Sequence, residues 1–195
     1  DLKTALASAH LEAYTDSGRE VLLLTDPVDE WMLQRLDSFD ETPLSAIDRG
    51  EVGLDGEDAR KEREAKDEDK KDFLEALRSS IGEQVSKVRF SARLKNSPAV
   101  LVGDEGAYSG HMERMLRRAG HELPPSQRVL EINPDHSLIK GLAERAKAGD
   151  GKDSLIADAA HLLLDQARIV EGEAVSDPQA FSGRLSAVME SGLKV

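Results

Sequence analysis

Cysteine, long apolar runs and an excess of positive charge are all missing from this 195-residue sequence. Without cysteine the chain can form no disulfide and no cysteine-ligated zinc or iron–sulfur site, and thiol catalysis is excluded. No stretch approaches the roughly 18 apolar residues that a helix needs to cross a bilayer, so we expect no transmembrane span. The first residue is Asp1, and nothing after it resembles a signal peptide.

The charge balance argues against nucleic acid as a partner. Lysine and arginine total 26 whereas aspartate and glutamate total 38, which gives a formal net charge of −12. A surface of this sign repels a phosphate backbone. Hydrophobic residues make up 39% of the chain and the mean hydropathy is −0.46, which is enough for the core of one large domain or two small ones.

No motif in the sequence predicts catalysis or metal binding. The loops Gly103-Asp-Glu-Gly106 and 149–153 lack the spacing of nucleotide-binding motifs. None of the five histidines has a second histidine four residues away. Asp135, His136 and Ser137 are adjacent, so their side chains diverge too far to form a hydrolytic triad. We therefore assign no catalytic residue and no metal ligand.

The first 50 residues are predicted to form a small helix–strand–helix unit. Apolar residues recur at helical spacing near the start, and Gly18 can end that helix. Four consecutive apolar residues, 21–24, predict a strand covered on both faces. Asp26 and Pro27 then predict the start of a second helix, which the apolar pattern continues to Phe39.

A highly charged segment follows and is predicted to be a linker. Sixteen of the twenty-two residues from 51 to 72 are charged, ten of them acidic and six basic. Such a composition cannot bury a core, so we expect a solvated linker over 51–70 whose last part leads into a helix. The apolar stripe of that helix consists of Phe73, Leu74, Leu77 and Ile81, and Gly82 is predicted to end it.

The remainder, 71–195, is predicted to form a second domain built on a three-stranded sheet with flanking helices. Apolar and polar residues alternate strictly over 87–94, which indicates a half-buried strand and places Arg93 on its exposed face. Two further apolar runs indicate buried strands, at 99–102 and 129–132. The predicted fold class is therefore α/β, in the mixed α+β sense.

Helices are predicted on either side of those strands. The periodicity predicts one over 109–119, and Asn133 with Pro134 predicts the start of another. Two more helices finish the chain, the first capped by Asp153 and the second by Asp177. Their apolar faces, rather than any catalytic motif, are the features that bear on function.

One of these faces has two alternative roles. Tyr108, Met112, Met115 and Leu116 fall on one side of the helix predicted over 109–119. Either this side packs on the sheet, or it is a methionine-rich surface for varied apolar partners. Trp31 poses the same choice between burial and exposure.

The last two helices carry more apolar surface than one copy of the chain is expected to cover. The stretch 155–170 is apolar over more than one stripe. Helices of this kind at a chain end commonly pair about a twofold axis into a four-helix bundle. We therefore expect a homodimer, and the alternative is a monomeric helical cap.

Five strings in the sequence resemble the ninety-kilodalton heat-shock chaperone family, and its bacterial members most of all. In chain order they are EVLLLTDPVDEWM (20–32), RLKNSPA (93–99), LEINPDH (130–136), LLDQA (163–167) and SDPQAF (176–181). The resemblance implies the end of the middle domain over 1–50 and the C-terminal dimerisation domain over 71–195, in a cytoplasmic chaperone. ATP and magnesium are implied only for a nucleotide-binding domain upstream, so this part is not expected to be an enzyme.

The resemblance also implies partners and the residues that contact them. Non-native client proteins are the implied ligands, and the seventy-kilodalton heat-shock chaperone system is an implied partner. The implied client-contact residues are Trp31, Gln34, Tyr108, Met112, Met115 and Leu116. The implied dimer-interface residues are Leu155, Ala159, Leu162, Leu163, Gln166, Ile169, Val170, Phe181, Leu185, Val188 and Met189.

Two alternatives stay open at this point. The chain could be a purely structural dimerisation module whose apolar helix face is buried, with clients held elsewhere. It could also be an enzyme of unknown chemistry, if a ligand occupied a pocket among the acidic groups. Solvent exposure of Tyr108, Met112 and Trp31 distinguishes the first alternative from the chaperone hypothesis.

Overall fold

Helices predominate in the computed structural model, which describes residues 2–33, 35–51, 57–104, 108–121, 128–149 and 154–193. The α-helices in these ranges are α1 (Leu2–Leu6), α2 (Glu12–Ser17), α3 (Pro27–Leu33), α4 (Glu57–Asp69), α5 (Lys71–Ile81), α6 (Gly110–Arg118), α7 (Ser137–Ala148), α8 (Ser154–Val170) and α9 (Pro178–Leu193). The strands are β1 (Ser38–Phe39), β2 (Thr42–Pro43), β3 (Lys87–Phe90), β4 (Ala99–Val102) and β5 (Val129–Ile132). The predicted α/β fold class is confirmed.

The central strand of the three-stranded sheet is β5, and the strand order is β3-β5-β4. It pairs in parallel with β3, where Val88 lies opposite Leu130, and antiparallel with β4, where Leu101 lies opposite Leu130. Every residue of β4 and β5 is buried, as expected for apolar runs covered on both faces. All three predicted strands are present, although β3 ends at Phe90 rather than at residue 94.

One apolar core holds the sheet, α5, α7 and α8 together. Within it, α8 lies against α5 and β4, and α9 packs on α8. The most deeply buried side chains of this core include Leu77, Leu130, Ile139, Ile156 and Leu163. Each such side chain contributes about 1.5–3 kcal/mol when it is removed from water. The anchoring of α8 therefore takes place within a single copy of the chain.

Three predicted helix boundaries are confirmed by their local geometry. Gly18 ends α2 with a φ of 66° and Gly82 ends α5 with a φ of 69°, a conformation that glycine adopts without steric cost. Asp177 caps α9, because its Oδ1 accepts hydrogen bonds from the N–H of Gln179 at 3.1 Å and of Ala180 at 3.0 Å. In each case the signal lies within a few residues of the boundary.

The start of α7 is displaced from its predicted position. The helix begins at Ser137 and not directly at Asn133 and Pro134. His136 is its N-cap residue, and its Nδ1 accepts a hydrogen bond from the backbone N–H two residues later at 3.2 Å. Asp153, the predicted cap of α8, lies outside the described residues.

The predicted strand over residues 21–24 is wrong. Residues 19–25 form neither helix nor strand, and Leu22 is 70% exposed. A strand needs a neighbour to pair its backbone groups, and no described residue pairs with this run. The strands of the N-terminal segment (residues 2–50) are instead β1 and β2, which form a short antiparallel hairpin. The helix α3 likewise ends at Leu33, and Phe39 lies in β1.

Arg93 is buried, contrary to the alternation that predicted its exposure. Its relative exposure is 0%, because the chain leaves the regular strand after Phe90 and the alternation of faces stops. The guanidinium is paired with Glu131 of β5, whose Oε2 lies 2.9 Å from Arg93 Nε. The sequence pattern could not reveal this pairing, because the partner lies 38 residues away along the chain.

The charged segment predicted to be a linker contains α4. Arg60 and Glu64 form an i,i+4 ion pair on this helix at 3.1 Å, which favours the helical state. Asp67 joins it to the sheet by accepting a hydrogen bond from the N–H of Phe90 at 2.9 Å. None of the described side chains of α4 is buried, so the helix is solvated. The division into domains at 51–70 stays a prediction.

Candidate functional site

Trp31 projects from the surface of α3. The helix start is stabilised by Asp29, whose Oδ2 accepts a hydrogen bond from the N–H of Asp26 at 2.9 Å. Trp31 is 52% exposed and Met32 is 44% exposed, so the choice between burial and exposure is resolved in favour of exposure. Gln34, the other predicted client residue in this part, lies outside the described residues.

Other large apolar side chains of the N-terminal segment are exposed as well. They are Leu2, Leu6, Leu22, Leu24, Val28, Leu36 and Phe39. The sequence pattern did not indicate the exposure of Leu22, Leu24 and Phe39, because it placed 21–24 in a covered strand and Phe39 on a longer helix. Their exposure could have been inferred from the high density of apolar residues in a stretch that has few other residues to pack against.

The predicted apolar stripe of α6 is split by the start of the helix. Ser109 is the N-cap residue, and its Oγ accepts a hydrogen bond from the N–H of Met112 at 3.0 Å. Tyr108 therefore precedes the helix and is 49% exposed, whereas Met112 is 1% exposed. Met115 and Leu116 are partly buried. The prediction that Met112 lies on an exposed surface is wrong, because its side chain is in the interior.

Two predicted interface residues of α8 belong to the core of the single chain. Ala159 is 8% exposed and Leu163 is 2% exposed, and both pack in the core that joins α8 to α5 and the sheet. The expectation that one copy cannot cover α8 is therefore wrong for its main stripe. The remaining predicted residues of α8 are at least partly exposed, and they are Leu155, Leu162, Gln166, Ile169 and Val170.

The helix α9 has a different character, since none of its described residues is buried. Phe181 and Val188 are partly covered. Leu185, Met189 and Leu193 are 41%, 59% and 79% exposed, and their four-residue spacing places them on one side of the helix. Leu193 was not among the predicted interface residues, although the same four-residue spacing indicates it.

Polar contacts fix the chain just before α9. Arg128, which precedes β5, donates a hydrogen bond to Oε2 of Glu171 at 2.7 Å and another to Glu173. Burial alone would lower the pKa of Arg128, but its hydrogen bond to Glu173 and the charges of both carboxylates outweigh burial and raise the pKa. Arg168 of α8 donates to Ser176 Oγ at 2.8 Å. The exposed stripe of α9 is thus carried on a firmly held turn.

A polar cleft and the acidic side chains of the described ranges bear on the enzyme alternative. A polar cleft of about 360 Å³ is lined in part by Glu51, Arg60 and Arg89. The carboxylate of Glu51 pairs with both arginines, since its Oε2 lies 3.4 Å from Arg60 Nη1 and its Oε1 lies 3.8 Å from Arg89 Nη1. Among the described residues, no group of three or more histidine, aspartate or glutamate side chains is placed to hold a metal ion. In the same ranges, no helix has the length and apolar character that crossing a bilayer requires.

Comparisons with known proteins identify the family. The sequence model of the family described as "Hsp90 protein" matches residues 1–195. Three similar curated proteins are each named "Chaperone protein HtpG". That of Roseobacter denitrificans is 46% identical over 99% of this chain, that of Paramagnetospirillum magneticum is 44% identical over 99%, and that of Burkholderia ambifaria is 41% identical over 97%.

The chain spans 32%, 32% and 29% of the length of these three relatives, or about a third of each. The strings quoted from the sequence had indicated the same family, and that prediction is confirmed. The chain belongs to the Hsp90 family of chaperones.

Proposed function

We propose that this chain is the dimerising and client-contacting part of an ATP-dependent chaperone. The observation that carries the proposal is α9, which exposes three large apolar side chains on one side while none of its described residues is buried. The family membership and the name shared by the relatives support a role in protein folding. ATP and magnesium would act in the part of such a chaperone that this chain does not span.

The dimer contact would be made by α9 and the end of α8. Leu185, Met189 and Leu193 form the exposed stripe of α9, and Ile169 and Val170 are 48% and 47% exposed at the end of α8. Burying apolar surface contributes about 25 cal/mol per Å². In a twofold dimer the stripe of one copy would pack against the same stripe of the other copy, so both stripes would be buried. Tethering two copies would also raise the effective concentration of their upstream domains for each other.

The client contact would be made by exposed aromatic side chains on two parts of the chain. Trp31 and Tyr108 are each about half exposed, at 52% and 49%. Tryptophan and tyrosine combine a large apolar area with a polar group and are the side chains that most often dominate protein interfaces. Non-native polypeptides expose apolar segments that such side chains can cover.

The mass of the chain in dilute solution tests the dimer. We expect light scattering at micromolar concentration to give twice the chain mass of 21.3 kDa. Client contact is tested separately, by the fluorescence anisotropy of a labelled, permanently unfolded polypeptide titrated with the chain. A monomeric mass would contradict the dimer proposal, and an unchanged anisotropy would contradict the client proposal.

A purely structural dimerisation module is the second candidate, and the burial of Met112 favours it. With Met112 at 1% exposure, α6 offers a smaller apolar surface than its sequence predicts. The two candidates differ in the response to Trp31→Ser combined with Tyr108→Ser. A structural module would be unaffected, whereas a client-contacting chaperone would lose affinity for the unfolded polypeptide and keep its dimeric mass.

A further inference from the structure

A buried arginine connects the N-terminal segment to the three-stranded sheet. Arg93 is 0% exposed, and its guanidinium donates in two directions. Nε lies 2.9 Å from Oε2 of Glu131 on β5. Nη1 donates to the backbone carbonyl of Ile47 at 2.5 Å and Nη2 donates to that of Gly50 at 2.8 Å. One side chain thus binds a carboxylate of the sheet and two carbonyls of the N-terminal segment.

The buried carboxylate of Glu131 accepts hydrogen bonds from three side chains. It is 3% exposed, and it accepts hydrogen bonds from Arg89 Nη2 at 2.7 Å and from Ser91 Oγ at 2.8 Å besides the one from Arg93. Arg89 therefore shares the carboxylate with Arg93, and its other ionic contact is a longer one, 3.8 Å from Nη1 to Oε1 of the exposed Glu51. Unlike Arg93, it donates to no backbone carbonyl of residues 2–50 among the described contacts, and this difference separates the two arginines.

The backbone beside this contact pairs with the end of β4. The N–H of Gly50 donates to the carbonyl of Gly103 at 2.9 Å, and the N–H of Gly103 donates to the carbonyl of Asp48 at 3.0 Å. The two stretches form a parallel bridge between Arg49 and Gly103. Residues 48–50 therefore extend the sheet by one short parallel segment beside β4. Arg93 binds this segment through the carbonyls of Ile47 and Gly50.

A second anchor lies earlier in the N-terminal segment. The carboxylate of Glu12 on α2 accepts hydrogen bonds from the N–H groups of Lys95 at 2.6 Å, Asn96 at 2.7 Å and Ser97 at 3.1 Å. The N–H of Ala13 donates to the carbonyl of Arg93 at 3.0 Å. Both anchors converge on the stretch 91–97, which follows β3.

We propose that Arg93 is a positioning residue that fixes the orientation of the N-terminal segment on the sheet. A planar guanidinium satisfies a carboxylate and two carbonyls in only one arrangement, and a lysine ammonium cannot reproduce that fork. Movement of residues 47–50 would leave a buried charge with fewer acceptors, which is strongly unfavourable. Arg93 thereby sets the position of the hairpin β1–β2, and of the segment that carries Trp31, relative to the sheet.

The absence of cysteine makes this proposal directly testable. Ser38 in β1 and Ser79 in α5 are both exposed, so Ser38→Cys with Ser79→Cys introduces the only two thiols. Nitroxide labels on them report one intramolecular distance by double electron–electron resonance, after dilution with excess unlabelled chain so that a dimer adds no further pairs. The measurement requires neither client binding nor dimerisation, so it stands apart from the proposed function.

We expect a narrow distance distribution in the labelled chain and a broad one after Arg93→Lys. The matched control is Arg89→Lys, which weakens the other arginine contact to Glu131 and should leave the distribution narrow. A purely structural role for Arg93 would lower the thermal midpoint without broadening the distribution. Equal widths for the two lysine variants would overturn the proposal.

A second variant guards against a failure of Arg93→Lys to fold. Arg93→Met combined with Glu131→Leu removes both buried charges, a change that often leaves a fold intact. The thermal midpoint and far-ultraviolet circular dichroism should confirm folding, and the distance distribution should again be broad. A folded double variant with the original narrow distribution would contradict the assignment.

Discussion

Met112 is buried at 1% exposure, whereas Tyr108, four residues earlier, is 49% exposed. The two residues do not share a helix face, because Ser109 caps α6 and leaves Tyr108 ahead of the first turn. The apolar stripe read from the sequence therefore divides into an interior residue and a surface residue. Substitutions at the two positions should have separate effects.

Tyr108→Ser should weaken binding of an unfolded polypeptide and leave stability almost unchanged. Removing an exposed aromatic contact is expected to cost about 1 kcal/mol of binding, or roughly fivefold in affinity. The free energy of unfolding should change by less than about 0.5 kcal/mol. Fluorescence anisotropy with a labelled unfolded polypeptide and urea denaturation measure the two quantities.

Met112→Ser serves as the contrasting variant for that prediction. Replacing a buried methionine by a hydroxyl leaves a cavity and a polar group in the interior, so the free energy of unfolding should fall by about 2–5 kcal/mol. Affinity for the polypeptide should stay unchanged under conditions where the variant is folded. The opposite pattern, with Met112 affecting affinity and Tyr108 not, would show that α6 turns its buried side to clients.

Leu163→Ala should destabilise the chain without dissociating the proposed dimer. Leu163 is 2% exposed in the core between α8, α5 and the sheet, and truncating such a leucine costs about 2–5 kcal/mol. Urea denaturation at fixed chain concentration measures the loss, because the stability of a dimer depends on concentration. A monomeric mass for the folded variant would place Leu163 in the interface after all.

Leu185→Asp combined with Met189→Asp should give a folded monomer. Both side chains lie on the exposed stripe of α9, where two carboxylates would be desolvated if a second copy packed there. Ala187→Asp is the matched control, because Ala187 is exposed and lies about 200° around the helix from Leu185. Light scattering should report half the mass for the double variant and the original mass for the control. Equal masses would exclude this stripe as the interface.

Acid should release the N-terminal segment from the sheet. Burial alone would raise the pKa of Glu131, but the charges of Arg93 and Arg89 outweigh burial and hold its pKa below the ordinary value. For Glu12 the same balance holds, since burial raises its pKa and hydrogen bonds from Ser97, Lys95 and Asn96 lower it further than burial raises it. Both carboxylates therefore stabilise the folded state at neutral pH.

The sign of this effect fixes the pH range. A carboxylate whose pKa is lower in the folded state contributes its full stabilisation above the unfolded value, about 4.3 for glutamate, and loses it as pH falls through the folded value. Hydrogen exchange of the Gly50 and Gly103 amides should accelerate in that acid range relative to the amides of β5, after correction for intrinsic rates. Glu12→Gln should reduce the pH dependence, and an unaltered profile would show that Glu12 does not contribute.

Local signals in the sequence were sufficient for much of the fold. Apolar runs in the sequence predict buried strands such as β4. Gly82 marks the end of α5, and Asp177 marks the start of α9. Contacts between distant residues could not be predicted in this way. Alternation placed Arg93 at the surface, because nothing near it in sequence indicates the carboxylate of Glu131. The run at 21–24 had the composition of a strand and lacked a described partner to pair with.

The candidate surfaces followed the same division. Trp31 and Leu185 are exposed, as the contact roles implied by the resemblance require. The resemblance implied contact roles for Met112 and Leu163, whereas periodicity reports only that a helix has an apolar side and not what that side faces. Only the packing of α8 on α5 and the sheet decides which of its apolar residues remain available.

The hydrogen bonds of Glu12 also constrain when this part of the molecule can take shape. Lys95 follows Glu12 by 83 residues, and at a synthesis rate of about 5–20 residues per second this interval lasts on the order of 4–17 s. During translation the carboxylate of Glu12 therefore has no backbone donors from residues 95–97 until this interval has passed. For those seconds Ala9 also lacks Leu94, Val100 and Val102, with which it packs in the folded chain, so a member of a chaperone family would itself be a candidate for assistance while it is being made.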